Sequence, residues 1–253
     1  MDTLEKKTKV KELWQLCFHD DERFVNLLFD NLYRDENTIC FEKGGKVTTA
    51  LQMLPYRISF GETSLDVSYI SGAATRPEYR NRGLMGRLLK ESFEIMRSRN
   101  IPLSALAFVV PGDDAVFVKE LLAINTEAKE AMLHEVQSAF PGYSLRVFTE
   151  PTSENGSAVL MGMIRIVDVR RILEAVAKNN RSLRRVFRVH DSLLPVNNGV
   201  FLVEEGECYE GVTNPCDFDI DIMELAEIVF GGSKLSSLLD FPSVRPYMSL
   251  MLD

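Results

Sequence analysis

Residues 71–100 read Ser-Gly-Ala-Ala-Thr-Arg-Pro-Glu-Tyr-Arg-Asn-Arg-Gly-Leu-Met-Gly-Arg-Leu-Leu-Lys-Glu-Ser-Phe-Glu-Ile-Met-Arg-Ser-Arg-Asn. The apolar run from Val67 to Ala74 predicts a strand, and Pro77 stops it, because proline cannot donate to a ladder and disfavours a helical Arg76. From Gly83 the period changes. Leu84, Leu88, Phe93, Ile95 and Met96 recur near helical spacing, with Arg87, Lys90, Glu91, Glu94 and Arg97 between them. The stretch is a strand, a short basic turn and a helix.

The first amides of a helix have no partner within it and stand at the positive end of its dipole, so such a turn suits an anion. Gly83 and Gly86 let an anion approach the backbone, and Arg80 and Arg82 add charge beside it. Between Arg76 and Arg99 seven basic residues stand against three acidic ones, a net of +4 in a 253-residue chain of net charge −8. A basic island on an acidic protein points to a local phosphate site and away from a nucleic-acid surface.

Arg80-x-x-Gly83 at the mouth of a helix, after a strand and Pro77-Glu78-Tyr79, resembles the acetyl-CoA pyrophosphate loop of the GNAT acetyltransferases, with Met85 and then Gly86 where the family pattern has its last glycine or alanine. Arg-x-x-Gly-Leu is similar to the enhanced-intracellular-survival subgroup in particular. The resemblance implies acetyl-CoA as co-substrate. Its phosphates would lie on the backbone of Arg80, Asn81, Arg82, Gly83, Leu84, Met85, Gly86 and Arg87, helped by the Arg80 and Arg82 side chains. Its pantetheine arm would pair with Ala73, Ala74 and Thr75 in a gap between two splayed parallel strands, and a backbone N–H near Ala74 or Thr75 would polarise the thioester carbonyl. No metal is implied.

The rest of the chain sets the frame. Hydrophobic residues at 45% and charged ones at 26% are ordinary for a globular protein. No apolar run approaches the roughly 20 residues of a membrane span, and Met1 to Lys7 lacks the apolar core of a signal peptide, so the expectation is a cytoplasmic protein with no membrane partner. Cys17, Cys40, Cys208 and Cys216 lack zinc-like spacing and read as free thiols on apolar stretches; Cys17 and His19 read as packing at a helix end.

In chain order, a helix from Lys6 to Phe18 carries Val10, Leu13, Trp14 and Cys17, and Asp20 or Asp21 caps a second with Phe24, Leu27, Leu28 and Leu32. Strands are expected at 38–42, 47–54, 56–60 and 65–74, forming an antiparallel meander, then at 101–110, buried and parallel to the strand before the loop. A helix is expected from Ala115 to Ile124, another from Thr126 to Ala139, and a strand from Ser144 to Thr149. Pro151 to Ser157 reads as a linker.

Beyond it come a strand from Val159 to Val167, a helix capped by Asp168, strands at 186–193, 199–204 and 208–212, a helix opened by Asp219 and Asp221 and stopped by Gly231-Gly232, and a last helix over 234–239. This is α+β content. Met163 to Val169, Asp219 to Ala226 and Arg245 to Met248 resemble the sterol-carrier-protein-like C-terminal domain of the same subgroup. The expected fold class is therefore α+β: a GNAT-like mixed sheet with flanking helices over 1–111, a shortened connecting segment over 112–157, and a smaller sterol-carrier-protein-like domain over 158–253.

By the resemblance the reaction moves an acetyl group from acetyl-CoA to an amine. The acidic remainder of the chain favours a cationic acceptor, a small-molecule amine or a lysine side chain, with a homo-oligomer left open. In the subgroup the chain's own C-terminal carboxylate is the base, here that of Asp253; a solvated terminus is the other reading. The tyrosine that the family uses as acid has no counterpart between Tyr79 and Tyr143, where Phe117 stands instead. The alternative function is a non-catalytic protein that binds CoA, an apolar ligand or a partner through a degenerate site.

Overall fold

The computed structural model describes residues 2–107, 115–118, 130, 133–134, 137–138, 144–147, 162–213 and 215–230. Helix α1 (Thr3–Phe18) starts at Asp2, whose carboxylate accepts from the Glu5 N–H at 2.8 Å. Helix α2 (Glu22–Asn31) starts at Asp21, which accepts from the Arg23 N–H; Asp20 does not cap it. Its buried face is Val25, Leu28 and Phe29, and Leu27, expected inside, is 61% exposed. Phe29 sets this rotation by packing edge-on against Trp14 and stacking on Tyr33.

Strands β1 (Thr38–Lys43), β2 (Lys46–Phe60) and β3 (Thr63–Thr75) form an antiparallel meander. The sequence suggests a break at Pro55, yet β2 runs through it. β1 ends at the Thr38–Gln52 pair, so at Pro55 the ladder has only β3 to satisfy, and the missing N–H costs nothing on the other edge. Helix α3 (Leu84–Ser98) crosses back, and β4 (Leu103–Ala107) lies parallel to β3, within the strand expected over 101–110. The expected helix at Ala115 is instead strand β5 (Ala115–Val118), parallel to β6 (Ser144–Val147); Val-Phe-Val suits a pleated surface better than a helix. Residues 130, 133–134 and 137–138 are helical, inside the helix expected over 126–139. The expected linker at 151–157 and helix at 234–239 lie outside the described residues.

Strand β7 (Gly162–Ile166) pairs antiparallel with β4 and completes a five-stranded sheet of order β1-β2-β3-β4-β7. Helix α4 (Val169–Asn179) is capped by Asp168. A second sheet of order β10-β9-β8-β11 follows, from β8 (Arg185–His190), β9 (Gly199–Glu204), β10 (Glu207–Glu210) and β11 (Phe218–Asp221). Asp219 belongs to β11, paired with Arg188, and only Asp221 opens α5 (Ile222–Val229), through a capping box with Glu224.

Three apolar clusters hold these layers. Val10, Leu13, Trp14 and Phe29 cover one face of the first sheet against Val47, Ala50 and Ala74. Leu88, Phe93 and Met96 of α3 cover the other against Leu51, Met53 and Ile70. The largest cluster joins Ile58, Phe60, Val67 and Leu103 of the first sheet to Ile172, Phe187 and Phe201 of the C-terminal half. The β2–β3 turn is clamped as well, since Asn179 accepts from the Glu62 N–H at 2.8 Å and donates to Thr63 Oγ1 at 3.1 Å. The C-terminal half thus braces the far end of the β2–β3 hairpin. All four cysteines are free, and burial pushes the Cys208 thiol up to about 12 and raises that of Cys40. Among the described residues no helix is long and apolar enough to cross a membrane.

Candidate cofactor site

Strands β3 and β4 pair over only three residues, Val67–Leu103, Ser68–Ser104 and Tyr69–Ala105. Beyond Tyr69 they part. β4 goes on pairing with β7 as far as Ala107, while β3 runs to Thr75 bonded only to β2 among the described residues. A wedge opens along β3 from Ile70 to Thr75, on the edge that faces away from β2.

The parting coincides with a bulge. Ser71 pairs with Gln52 and Ala74 with Ala50, so β3 carries one residue more than β2 between these pairs. Gly72 sits there at φ +59°, and a Cβ on it would stand 2.2 Å from Cζ3 of Trp14. The six-membered ring of the indole packs on the bulge, and Nε1 on its other edge donates to Asp20 at 2.8 Å. After the bulge the backbone alternates again. The Arg76 N–H donates to Thr48 O at 2.9 Å, and Ala74 O accepts from Thr49 Oγ1 at 2.9 Å, so both residues turn to β2. Thr75, between them, presents its N–H and C=O to the wedge side, where its carbonyl accepts from Arg80 Nε at 3.1 Å. Ala73 is exposed and Ala74 buried.

The loop is built to end in an uncapped helix. Pro77–Tyr79 form one 3-10 turn, Asn81 and Gly83 are left-handed at φ +60° and +70°, and Gly83 supplies no side-chain cap. The first intrahelical bond runs from the Arg87 N–H to Gly83 O at 3.1 Å, which leaves the amides of Leu84, Met85 and Gly86 without a helical acceptor. No acidic residue stands in this first turn, and around Gly83 and Gly86 the space within 4 Å of a built Cβ is empty. Arg80, Asn81, Arg82 and Arg87 are exposed around it. Arg82 donates to Glu78 O at 2.8 Å and lies over the Tyr79 ring, and Arg87 lies over Phe41. The residues from Ala73 to Arg87 singled out in the sequence therefore lie around one end of the wedge. Asp253 lies outside the described residues, as does the side chain of Phe117.

Sequence reasoning missed the packing partners of this site. Trp14 meets the bulge at Gly72, a contact between residues far apart in the chain that no local pattern announces, and Asp20 accepts from the other edge of its indole. Gln52 could have been noticed, as a lone amide between Leu51 and Met53. It is 2% exposed, opposite Ser71 at the edge of the bulge, and neither amide atom has a partner among the described residues. Leaving such a group dry costs about 1–3 kcal/mol, so Gln52→Met is expected to raise stability by about 1 kcal/mol, read as a higher midpoint in thermal unfolding.

Residues 3–110 match the family model described as acetyltransferase (GNAT) domain, and residues 169–249 match the one described as sterol carrier protein domain. Among curated proteins no sequence matches the chain. Solved structures do share its fold. Eis1 from Mycobacterium abscessus superposes with a TM-score of 0.73 at 10% identity, over 99% of this chain and 93% of that one. A GCN5-related N-acetyltransferase from Kribbella flavida gives 0.68 at 14% identity, over 94% and 91%. Another, from Anabaena variabilis ATCC 29413, gives 0.67 at 14% identity, over 89% and 88%. The wedge, the bulge and the open helix terminus all fall within the matched N-terminal residues. This chain joins a GNAT acetyltransferase domain to a C-terminal sterol carrier protein domain.

Proposed function

We propose that this protein transfers the acetyl group of acetyl-CoA to an amine. The observation that carries the reading is the splay of β3 from β4 beside the uncapped start of α3, an open strand edge followed by helix-terminal amides without a helical acceptor. The residues present fit the co-substrate: three helix-terminal amides and exposed arginines for its pyrophosphate, and the Ala73–Thr75 backbone for the amides of its arm. Acetyl-CoA supplies the acyl group as an activated thioester.

The chain's own part is binding, orientation and electrostatics. Thr75 is the better placed donor for the thioester carbonyl, because its N–H faces the wedge whereas Ala74 is turned to β2. Arg80 tethers the loop to that strand end through Thr75 O, so the anion site and the carbonyl donor move together. The acceptor is a cationic amine. Supporting this, the chain carries net charge −8.

Gly86 separates binding from folding. Its φ is ordinary and a side chain there meets nothing, so Gly86→Ala is expected to stabilise the protein by about 0.5–1 kcal/mol through helix propensity. Gly86→Leu fills the space an anion requires, and its affinity for acetyl-CoA in calorimetric titration is expected to fall by about tenfold or more. Loss of affinity in Gly86→Leu and in Arg80→Ala, with both variants folded, supports the site. No binding of acetyl-CoA by the parent protein would overturn the reading and leave the non-catalytic alternative.

A further inference from the structure

Thr48 and Thr49 are consecutive in β2, and both are buried. Opposite β1, Thr49 pairs with Phe41 and Val47 with Glu42, so β2 carries one extra residue here, Thr48. A bulge of this kind re-aims the side chains beside it. Thr48 Oγ1 donates to Phe41 O at 3.1 Å and ties β2 to β1. Thr49 Oγ1 turns the other way, donates to Ala74 O at 2.9 Å and ties β2 to the end of β3.

Thr49 has a second contact, with Thr75 Oγ1 at 2.9 Å. A hydroxyl has one proton, and a carbonyl oxygen only accepts. Thr49 gives its proton to Ala74 O, so Thr75 is the donor to Thr49. The hydrogen bonds therefore run in one direction, from the Thr75 hydroxyl through the Thr49 hydroxyl to the Ala74 carbonyl. That carbonyl shares a peptide plane with the Thr75 N–H, and in a trans peptide the two point in opposite directions. Holding the carbonyl towards β2 holds the N–H towards the wedge. Ala74 is already paired with Ala50 in the ladder, so Thr49 adds a donor to a carbonyl whose direction the strand also sets. Its effect is then electronic as well as steric: hydrogen bonds in a chain polarise one another, and a peptide carbonyl that accepts more strongly leaves the N–H of the same peptide a better donor. The next peptide is pinned too, by Arg76 N–H on Thr48 O and by Arg80 Nε on Thr75 O.

We infer that Thr49 is a positioning residue for acyl transfer, which through Ala74 O fixes and polarises the peptide whose N–H, that of Thr75, donates to the thioester carbonyl. The inference rests on the acetyl-CoA reading above and adds to it a residue outside both the loop and β3. Thr49 is fully buried and acts only through Ala74 and Thr75. The Thr75 side chain heads the chain of hydrogen bonds that its own backbone N–H completes.

The test reads the thioester carbonyl directly and needs no acceptor amine. Acetyl-CoA labelled with carbon-13 at the carbonyl is bound to the parent, Thr49→Ser, Thr49→Val and Thr75→Val proteins, and its carbonyl stretch is followed by isotope-edited infrared difference spectroscopy. A carbonyl that accepts a stronger hydrogen bond absorbs at lower frequency. The parent and Thr49→Ser are expected to shift the band below that of free acetyl-CoA by the same amount. Thr49→Val, which keeps the volume and removes the hydroxyl, is expected to lose most of the shift, and Thr75→Val a smaller part. Affinity of Thr49→Val for coenzyme A, which has no acyl carbonyl, is expected to stay within about twofold of the parent's in calorimetric titration. If Thr49→Val does not fold, Thr75→Val decides, and a parent-like band in it overturns the inference. Parent-like bands in both valine variants, a Thr49→Ser band as displaced as that of Thr49→Val, or no shift on binding to the parent also overturns the inference while leaving the acetyl-CoA reading intact. Failure of the parent to bind acetyl-CoA overturns both.

Discussion

Gly72→Ala is expected to destabilise the protein by about 3 kcal/mol or more and to abolish acetyl-CoA binding in whatever fraction stays folded. Two costs combine. The residue must hold φ +59°, worth about 1–2 kcal/mol for a side chain that favours neither this region nor the bulge. The new methyl would also sit 2.2 Å from Cζ3 and 2.5 Å from Cε3 of a buried indole, which cannot retreat because Trp14 is wedged between Phe18 and Phe29 and bonded to Asp20. Trp14→Ala alone is expected to cost about 3–5 kcal/mol for the lost core volume. In the double variant the clash is gone and only the dihedral cost is added, so the two effects should fall well short of their sum in urea unfolding. Strict additivity would show that the indole and the bulge do not meet in solution. The functional consequence follows from geometry, since the bulge sets the alternation that turns Thr75 to the wedge.

Asp191→Ala is expected to cost about 3–5 kcal/mol, because it strands a charge in the middle of a buried network. The Asp191 carboxylate accepts from Arg165 Nη2 at 2.7 and 2.6 Å, from Asn197 Nδ2 at 2.9 Å, and from the Leu193 and Leu194 N–H groups at 3.0 Å each. Asn197 in turn accepts from Arg97 of α3 at 3.0 Å. The network thus ties β7 and the C-terminal half to α3, the helix whose first three amides lack a helical acceptor. Because both ion partners vanish together in Arg165→Met/Asp191→Leu, that double variant is expected to recover part of the loss.

Acid should find the same weakness. Burial opposes ionisation of Asp191, but hydrogen bonds from Arg165, Asn197 and the Leu194 amide, with the Arg165 charge, outweigh it and hold the carboxyl below its usual range. Its folded pKa lies below the unfolded one, so its contribution is complete above roughly pH 4 and is lost as the pH falls through the folded value. In denaturant titrations at falling pH, the parent should lose more stability than Asp191→Asn over that window. Parallel curves for the two would remove Asp191 as the source.

Much of this molecule could be read along the chain because it is local. The strand, the Pro77 turn and the amphipathic period of α3 are written within 30 consecutive residues, and caps such as Asp168 and Asp221 act on amides only two or three positions away. Where periodicity was short the reading slipped. Val116-Phe117-Val118 was expected in a helix and forms a strand, since a four-residue apolar run carries no usable period and its partner lies near residue 145. Pro55 reads locally as a break, although the end of β1 makes its missing N–H harmless.

The α+β class, the glycines and arginines of the loop, the open start of α3 and the two domain resemblances were legible along the chain, because propensity, capping and charge act between near neighbours. Packing between distant segments, by contrast, set where the wedge opens, that Trp14 stands at the bulge, that Phe41 lies under Arg87, and that β7 completes the first sheet. Each of these depends on register and packing between segments far apart in the chain. Those contacts form only when burial of the shared core offsets the entropy of bringing the segments together.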